Sequence, residues 1–108
     1  MHRLALDQVA ARVHALEQAQ VAVQWTNPAF AVTHEKSMVV DGERALVATF
    51  NFSEKYFTQT RDYGIVTTDR PEVDEIIAGF EADWTRKAFA PPDGSTLLWS
   101  SNKPRPRM

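Results

Sequence analysis

The chain contains no cysteine, which excludes disulfide staples and every chemistry that needs a thiolate, nucleophilic or metal-binding. It has no surplus of positive charge. Twelve Lys and Arg stand against fourteen Asp and Glu, for a formal net charge of -2. A general nucleic-acid or anionic-membrane binder carries a basic excess, so that class is disfavoured, although a local anion pocket is not. No apolar run approaches the roughly 18–20 residues that a transmembrane helix requires. The first twenty residues, MHRLALDQVAARVHALEQAQ, are broken by charges and form no secretory h-region. These absences point to a soluble, cytoplasmic chain, with peripheral attachment to a membrane still open. What is present is ordinary globular composition, 44% hydrophobic and 24% charged. The 108 residues suffice for one small domain and not two.

Periodicity predicts a helix over residues 3–19, with Leu6, Val9, Val13 and Leu16 on one stripe. Residues 21–26, VAVQWT, have strand composition, and Asn27-Pro28 stops them. HEKSMVV, residues 34–40, reads as a strand, Asp41-Gly42 as a tight turn and RALVATFNF, residues 44–52, as the returning strand of a hairpin. Both strands are apolar on both faces near their centres, which predicts a sheet covered on two sides. Ser53-Glu54-Lys55 suits a short helical turn, and residues 63–68 suit a third strand. Pro71 fits the first turn of a second helix, in which Val73, Ile76, Ile77, Phe80 and Trp84 repeat at helical spacing to about residue 88. Ile77, Phe80 and Trp84 are expected in the core, as are Trp25 and Trp99, with the lining of a substrate cleft the alternative for these two. Residues 96–99, TLLW, are expected as a last strand, and the tail SSNKPRPRM as disordered, with Arg105 and Arg107 solvated. His2 and His14 are read as exposed helix positions without a role.

The expected class is therefore α/β in the α+β layered sense, a mixed β-sheet flanked by helices. The domain is expected over residues 1–90, followed by a loop, short strand and tail over 91–108. No internal repeat occurs. Three or four strands make a thin sheet with a long edge to hide, which raises the expectation that a neighbouring segment or partner chain covers it.

The chemistry gathers at His34-Glu35-Lys36, Asp41 and Ala48-Thr49-Phe50-Asn51. His34 and Lys36 lie two apart on a predicted strand, so their side chains leave one face about 7 Å apart. Thr49 and Asn51 are likewise two apart. If both pairs share a face of the hairpin, four polar groups converge on one anion. An ammonium neutralises phosphate oxygens. A hydroxyl and a carboxamide donate to the same oxygens. An imidazole attacks phosphorus or moves a proton.

The stretch resembles the HKD signature of the phospholipase D superfamily: His-x-Lys, four residues, Asp, six residues, then Gly-Ser-x-Asn. His34, Lys36, Asp41 and Asn51 stand at those intervals. Residues 21–84 are similar to cardiolipin-synthase-like members, through HEKSMVVDGERALVATFNF, Asp62 before a strand, and Phe80-Glu81-Ala82-Asp83-Trp84. The resemblance implies that His34 attacks a phosphodiester and becomes a phosphohistidine. Lys36, Thr49 and Asn51 would hold the phosphate oxygens, and Asp62 would orient the imidazole. Asp41 counts with the motif but belongs to the turn. No cofactor or metal is implied. The implied substrate is a phospholipid or another phosphodiester, handled by hydrolysis or transfer. DNA, cut by a homodimeric nuclease, is disfavoured by the net charge, and an inactive interaction module is the rival from outside enzymology.

Two departures stand out. Ala48-Thr49 replaces Gly-Ser, keeping the hydroxyl but adding a methyl where glycine lets a backbone come close. The second is the presence of one motif where the family uses two histidines, one attacking and one protonating the leaving group. The resemblance thus implies a homodimer or a second half. Leu97-Leu98-Trp99-Ser100-Ser101-Asn102 is similar to the junction before the second half of two-motif members, and the early strand–helix–strand units of a half-domain are expected to be missing before Leu4.

Overall fold

The computed structural model describes residues 3–29 and 34–99. Helix α1 spans Arg3–Gln18, strand β1 Ser37–Val40, strand β2 Arg44–Ala48, helix α2 Glu54–Thr58, strand β3 Gly64–Thr67 and helix α3 Arg70–Thr85. The class is α+β, as expected. The strands form one three-stranded sheet in the order β1-β2-β3. Both pairings are antiparallel, so the sheet is not the mixed one expected.

The hairpin is made by its turn. Asp41 and Gly42 both have positive φ, 55° and 66°, and Glu43 N–H donates to Val40 C=O at 3.1 Å. Paired positive dihedrals are the mark of the primed turns whose twist matches that of two joined strands, and Asp-Gly adopts them at low cost. Register follows: Val39 lies opposite Ala45, and Ala45 opposite Thr67.

Helix α3 covers one face of the sheet. Asp69 caps it, accepting from Glu72 N–H at 3.3 Å, with Pro71 in the first turn. Its inward positions Val73 and Ile76 are buried against Ala45 of β2, with Val39, Ile77, Leu97 and Trp99 packed around them. Burying Val73 and Ile76 stabilises the pairing by about 1.5–3 kcal/mol each before entropy is counted. Side chains alternate across a strand, so Val39, Ala45 and Thr67 face α3 while Met38, Leu46 and Val66 face away. Met38, Val40 and Val66 are all exposed. The expectation of a sheet covered on both faces therefore does not hold among the described residues: α3 covers one.

Other differences share a cause. Residues 21–26 are not a strand. They run beside the end of α3, where Gln24 Nε2 donates to the Trp84 carbonyl at 2.8 Å and Arg86 donates to the Trp25 carbonyl at 3.5 Å. Their apolar composition finds no ladder to join, and Trp25, expected in the core, is 66% exposed. Residues 96–99 are not a strand either. They are held by α3, as Ser95 Oγ and Trp99 Nε1 both donate to the buried Glu75 carboxylate, at 2.7 and 2.6 Å. Thr96 Oγ1 donates to Glu72 at 3.1 Å. Phe80, expected in the core, is 55% exposed and stacks on the half-buried Trp84 at 5.9 Å.

Helix α1 shows the predicted stripe at Val9 and Val13, both half-buried, while Leu16 is exposed. The side chain of Leu6 lies outside the described residues, as do His2, Ser100–Asn102 and the tail with Arg105 and Arg107. His14 is exposed. Both long helices end in the left-handed conformation without glycine, at Gln20 (φ 65°) and Arg86 (φ 57°). Val21 N–H donates to Leu16 C=O at 3.0 Å and Lys87 N–H to Ala82 C=O at 2.8 Å, which satisfies the terminal carbonyls. No helix of the described residues is long and apolar enough to cross a membrane.

Candidate active site on the hairpin

His34 and Lys36 precede β1 rather than lying within it, since the strand begins at Ser37. The ladder nevertheless reaches Lys36, whose carbonyl accepts from Ala48 N–H at 2.9 Å. Ser37 pairs with Val47, so Lys36 lies opposite Ala48 and shares its face with Met38 and Val40, away from α3. The Lys36 ammonium donates to the His34 carbonyl at 2.6 Å. This bond holds the cation beside the histidine residue. His34 is exposed and Lys36 half-buried. Glu35 carries the opposite parity and accepts from Ser37 Oγ at 2.8 Å.

The departure at Ala48 costs the backbone nothing visible. Ala48 is a regular β2 residue opposite Gly64, and it is not among the residues with positive φ. Strand geometry of this kind accepts a methyl, and glycine is not required for conformation at this position.

Thr49 breaks the expected convergence. Its amide donates to the Tyr63 carbonyl at 2.9 Å, so the ladder continues one step past β2. Thr49 therefore faces the side opposite to Ala48 and Lys36. Its hydroxyl accepts from Tyr63 N–H at 2.9 Å and lies 3.0 Å from Asp62 Oδ1 as donor. A second acceptor, the Tyr63 carbonyl, is 3.3 Å away. Asp62 Oδ2 accepts in turn from Thr60 Oγ1. The half-buried Asp62 is thus gripped by two threonine hydroxyls, and neither bond leads to His34.

The chain bends at Thr49-Phe50, and Asn51 follows, exposed. Phe50 meets Phe52 and Phe57 edge-on at 5.8 and 5.3 Å. These contacts hold α2 beside the end of β2 and set Asn51 between the bend and the helix. Asp41 stands at the hairpin turn, at the other end of β1 from His34. The structure therefore joins His34 with Lys36, Lys36 with the end of β2, and Thr49 with Asp62. It shows no hydrogen bond from Asn51 or Asp62 to His34. Thr60, not among the expected site residues, carries a local signal, a hydroxyl two residues before a carboxylate, a spacing that favours side-chain bonding. Among the described residues, no group of three or more His, Asp or Glu is placed to hold a metal ion.

The family model described as cardiolipin synthase, PLD-like domain, matches residues 2–84. Neither the curated proteins nor the solved structures yielded a match to this chain. The matched span runs through the hairpin with His34, Lys36 and Asn51, through Asp62 and to the end of α3, so the chain belongs to the cardiolipin synthase-type, phospholipase D-like domain family.

Proposed function

We propose that this chain supplies one half of a phosphodiesterase or phosphatidyltransferase site, working on phospholipid phosphodiesters through a phosphohistidine at His34. The observation that carries the reading is the exposed His34 with the Lys36 ammonium held beside it, in a chain whose family acts on phosphodiesters. A ring nitrogen of His34 attacks phosphorus, and the bond to one ester oxygen breaks. That oxygen leaves as an alcohol with a proton from the histidine of a second half. Water or another alcohol then attacks the phosphohistidine, gives its proton to that second histidine, and releases His34. Water completes hydrolysis and an alcohol completes transfer. Lys36 and Asn51 bind the non-bridging oxygens, where charge builds as phosphorus becomes five-coordinate. Asp62 orients the imidazole, and Asp41 serves the turn.

One chain holds one such histidine, so a second copy or a second half completes the site. The setting is the cytoplasm, at the membrane surface where the substrate lies. DNA is the weaker substrate because the net charge is -2 and a nuclease needs a basic track.

The test is hydrolysis of bis-p-nitrophenyl phosphate by the purified chain, with light scattering to report its mass. A dimer with activity lost in His34→Ala and kept in EDTA is the expected result. Phosphatidylglycerol vesicles against plasmid DNA then separate lipase from nuclease. An inactive monomer would replace this reading with that of an interaction module.

A further inference from the structure

The geometry points to Thr49 and Thr60 as positioning residues that clasp Asp62, with Thr49 serving the carboxylate and not the substrate phosphate. The inference rests on the site proposed above and deepens it. A threonine hydroxyl has one proton to give. Thr49 Oγ1 is 3.0 Å from Asp62 Oδ1 and 3.3 Å from the Tyr63 carbonyl, and it already accepts the Tyr63 N–H at 2.9 Å. Its proton is therefore committed within the protein. Donating to a phosphate would mean releasing Asp62. The Thr49 hydroxyl is turned to the approach to β3, at Asp62 and Tyr63, and makes no hydrogen bond to Lys36.

Thr60 closes the clasp from the other side, donating to Asp62 Oδ2. The Tyr56 carbonyl of α2, 3.3 Å from the same hydroxyl, is a second and more distant acceptor for its one proton. Both carboxylate oxygens are thereby fixed by hydroxyls from two segments, one at the end of β2 and one at the approach to β3. Each oxygen keeps a further lone pair, so Asp62 remains able to accept an imidazole N–H while its own rotation is blocked. A carboxylate that aims a histidine is effective only when it is itself aimed.

The full chain is tested as Thr49→Val, Thr49→Ser, Thr60→Val and Thr60→Ser. On bis-p-nitrophenyl phosphate, each valine variant lowers kcat about tenfold or more, while KM and inhibition by inorganic phosphate stay within about twofold. Each serine variant restores kcat, because it keeps the hydroxyl. The Tyr63 amide exchanges faster in Thr49→Val, through loss of its acceptor, and keeps its rate in Thr49→Ser. If Thr49→Val instead raises KM and weakens phosphate inhibition at unchanged kcat, Thr49 is a phosphate ligand and the inference falls. Unchanged Tyr63 exchange in Thr49→Val also overturns it. Where Thr49→Val fails to fold, the Thr60→Val and Thr60→Ser pair decides through the same split between kcat and KM. If the wild-type chain has no phosphodiesterase activity, the proposed function fails and the orienting role falls with it, while Tyr63 exchange still decides whether the clasp exists.

Discussion

Replacing Gly79 by alanine sets two effects of opposite sign against each other. Alanine is the best helix former and glycine among the poorest, so in an open helix the change stabilises by about 1 kcal/mol. Gly79, however, is a buried notch in α3. A methyl group there would lie 2.8 Å from Cη2 of Trp99 and 3.2 Å from Cζ3, so the indole must move. Moving it breaks the 2.6 Å bond from Trp99 Nε1 to Glu75, whose residue is only 7% exposed. Stripping a donor from a buried carboxylate costs about 1–3 kcal/mol. The edge-on contact of Trp99 with Phe89, with centroids 4.8 Å apart, adds about 0.5–1.5 kcal/mol. The costs exceed the propensity gain, and Gly79→Ala is expected to destabilise the chain by about 2 kcal/mol. Urea unfolding followed by far-ultraviolet circular dichroism measures it. The same change made in a Trp99→Ala background is expected to reverse sign and stabilise, since the obstruction is gone. A Gly79→Ala chain that is more stable than wild type with Trp99 in place would refute the reasoning.

Two further substitutions probe the elements around the site. Gly42→Ala meets nothing within 4 Å, but its φ is +66°, so the cost is conformational, about 1 kcal/mol, and is read as a lower urea midpoint at unchanged slope. Asp69→Ala removes the cap of α3 and is expected to cost about 1 kcal/mol, with Asp69→Asn nearly neutral, in the same assay.

What could be read from the sequence was what is decided locally. Asp41-Gly42 announces its turn because the two residues themselves tolerate positive φ, and Pro71 announces α3 because a first-turn proline is set by its own ring. The spacing of His34, Lys36 and Asn51 was legible for the same reason: it is a property of one hairpin. What failed depended on distant neighbours. VAVQWT has the composition of a strand but no ladder to join, and its side-chain amide and backbone are tied to the end of α3 instead. TLLW looked like a strand and is fastened by carboxylates twenty or more residues earlier. Thr49 was expected to converge with Lys36 only if the two pairs shared a face of the hairpin. The register decides otherwise, placing Lys36 beside Ala48, because Val40 pairs with Arg44 and the loop takes in Glu43 as well as Asp41-Gly42.

Glu72 accepts from Thr67 Oγ1 with one oxygen, at 2.9 Å, and from Thr96 Oγ1 with the other, at 3.1 Å. A single side chain thus buckles the strand before α3 to the segment after it. One residue inserted between Glu72 and Gly79 would turn the rest of the helix by about 100° and swing the notch away from the indole it receives. The length of this helix is therefore as fixed as its buried letters, and change is confined to exchanges at outward positions such as Asp74, Ala78 and Glu81.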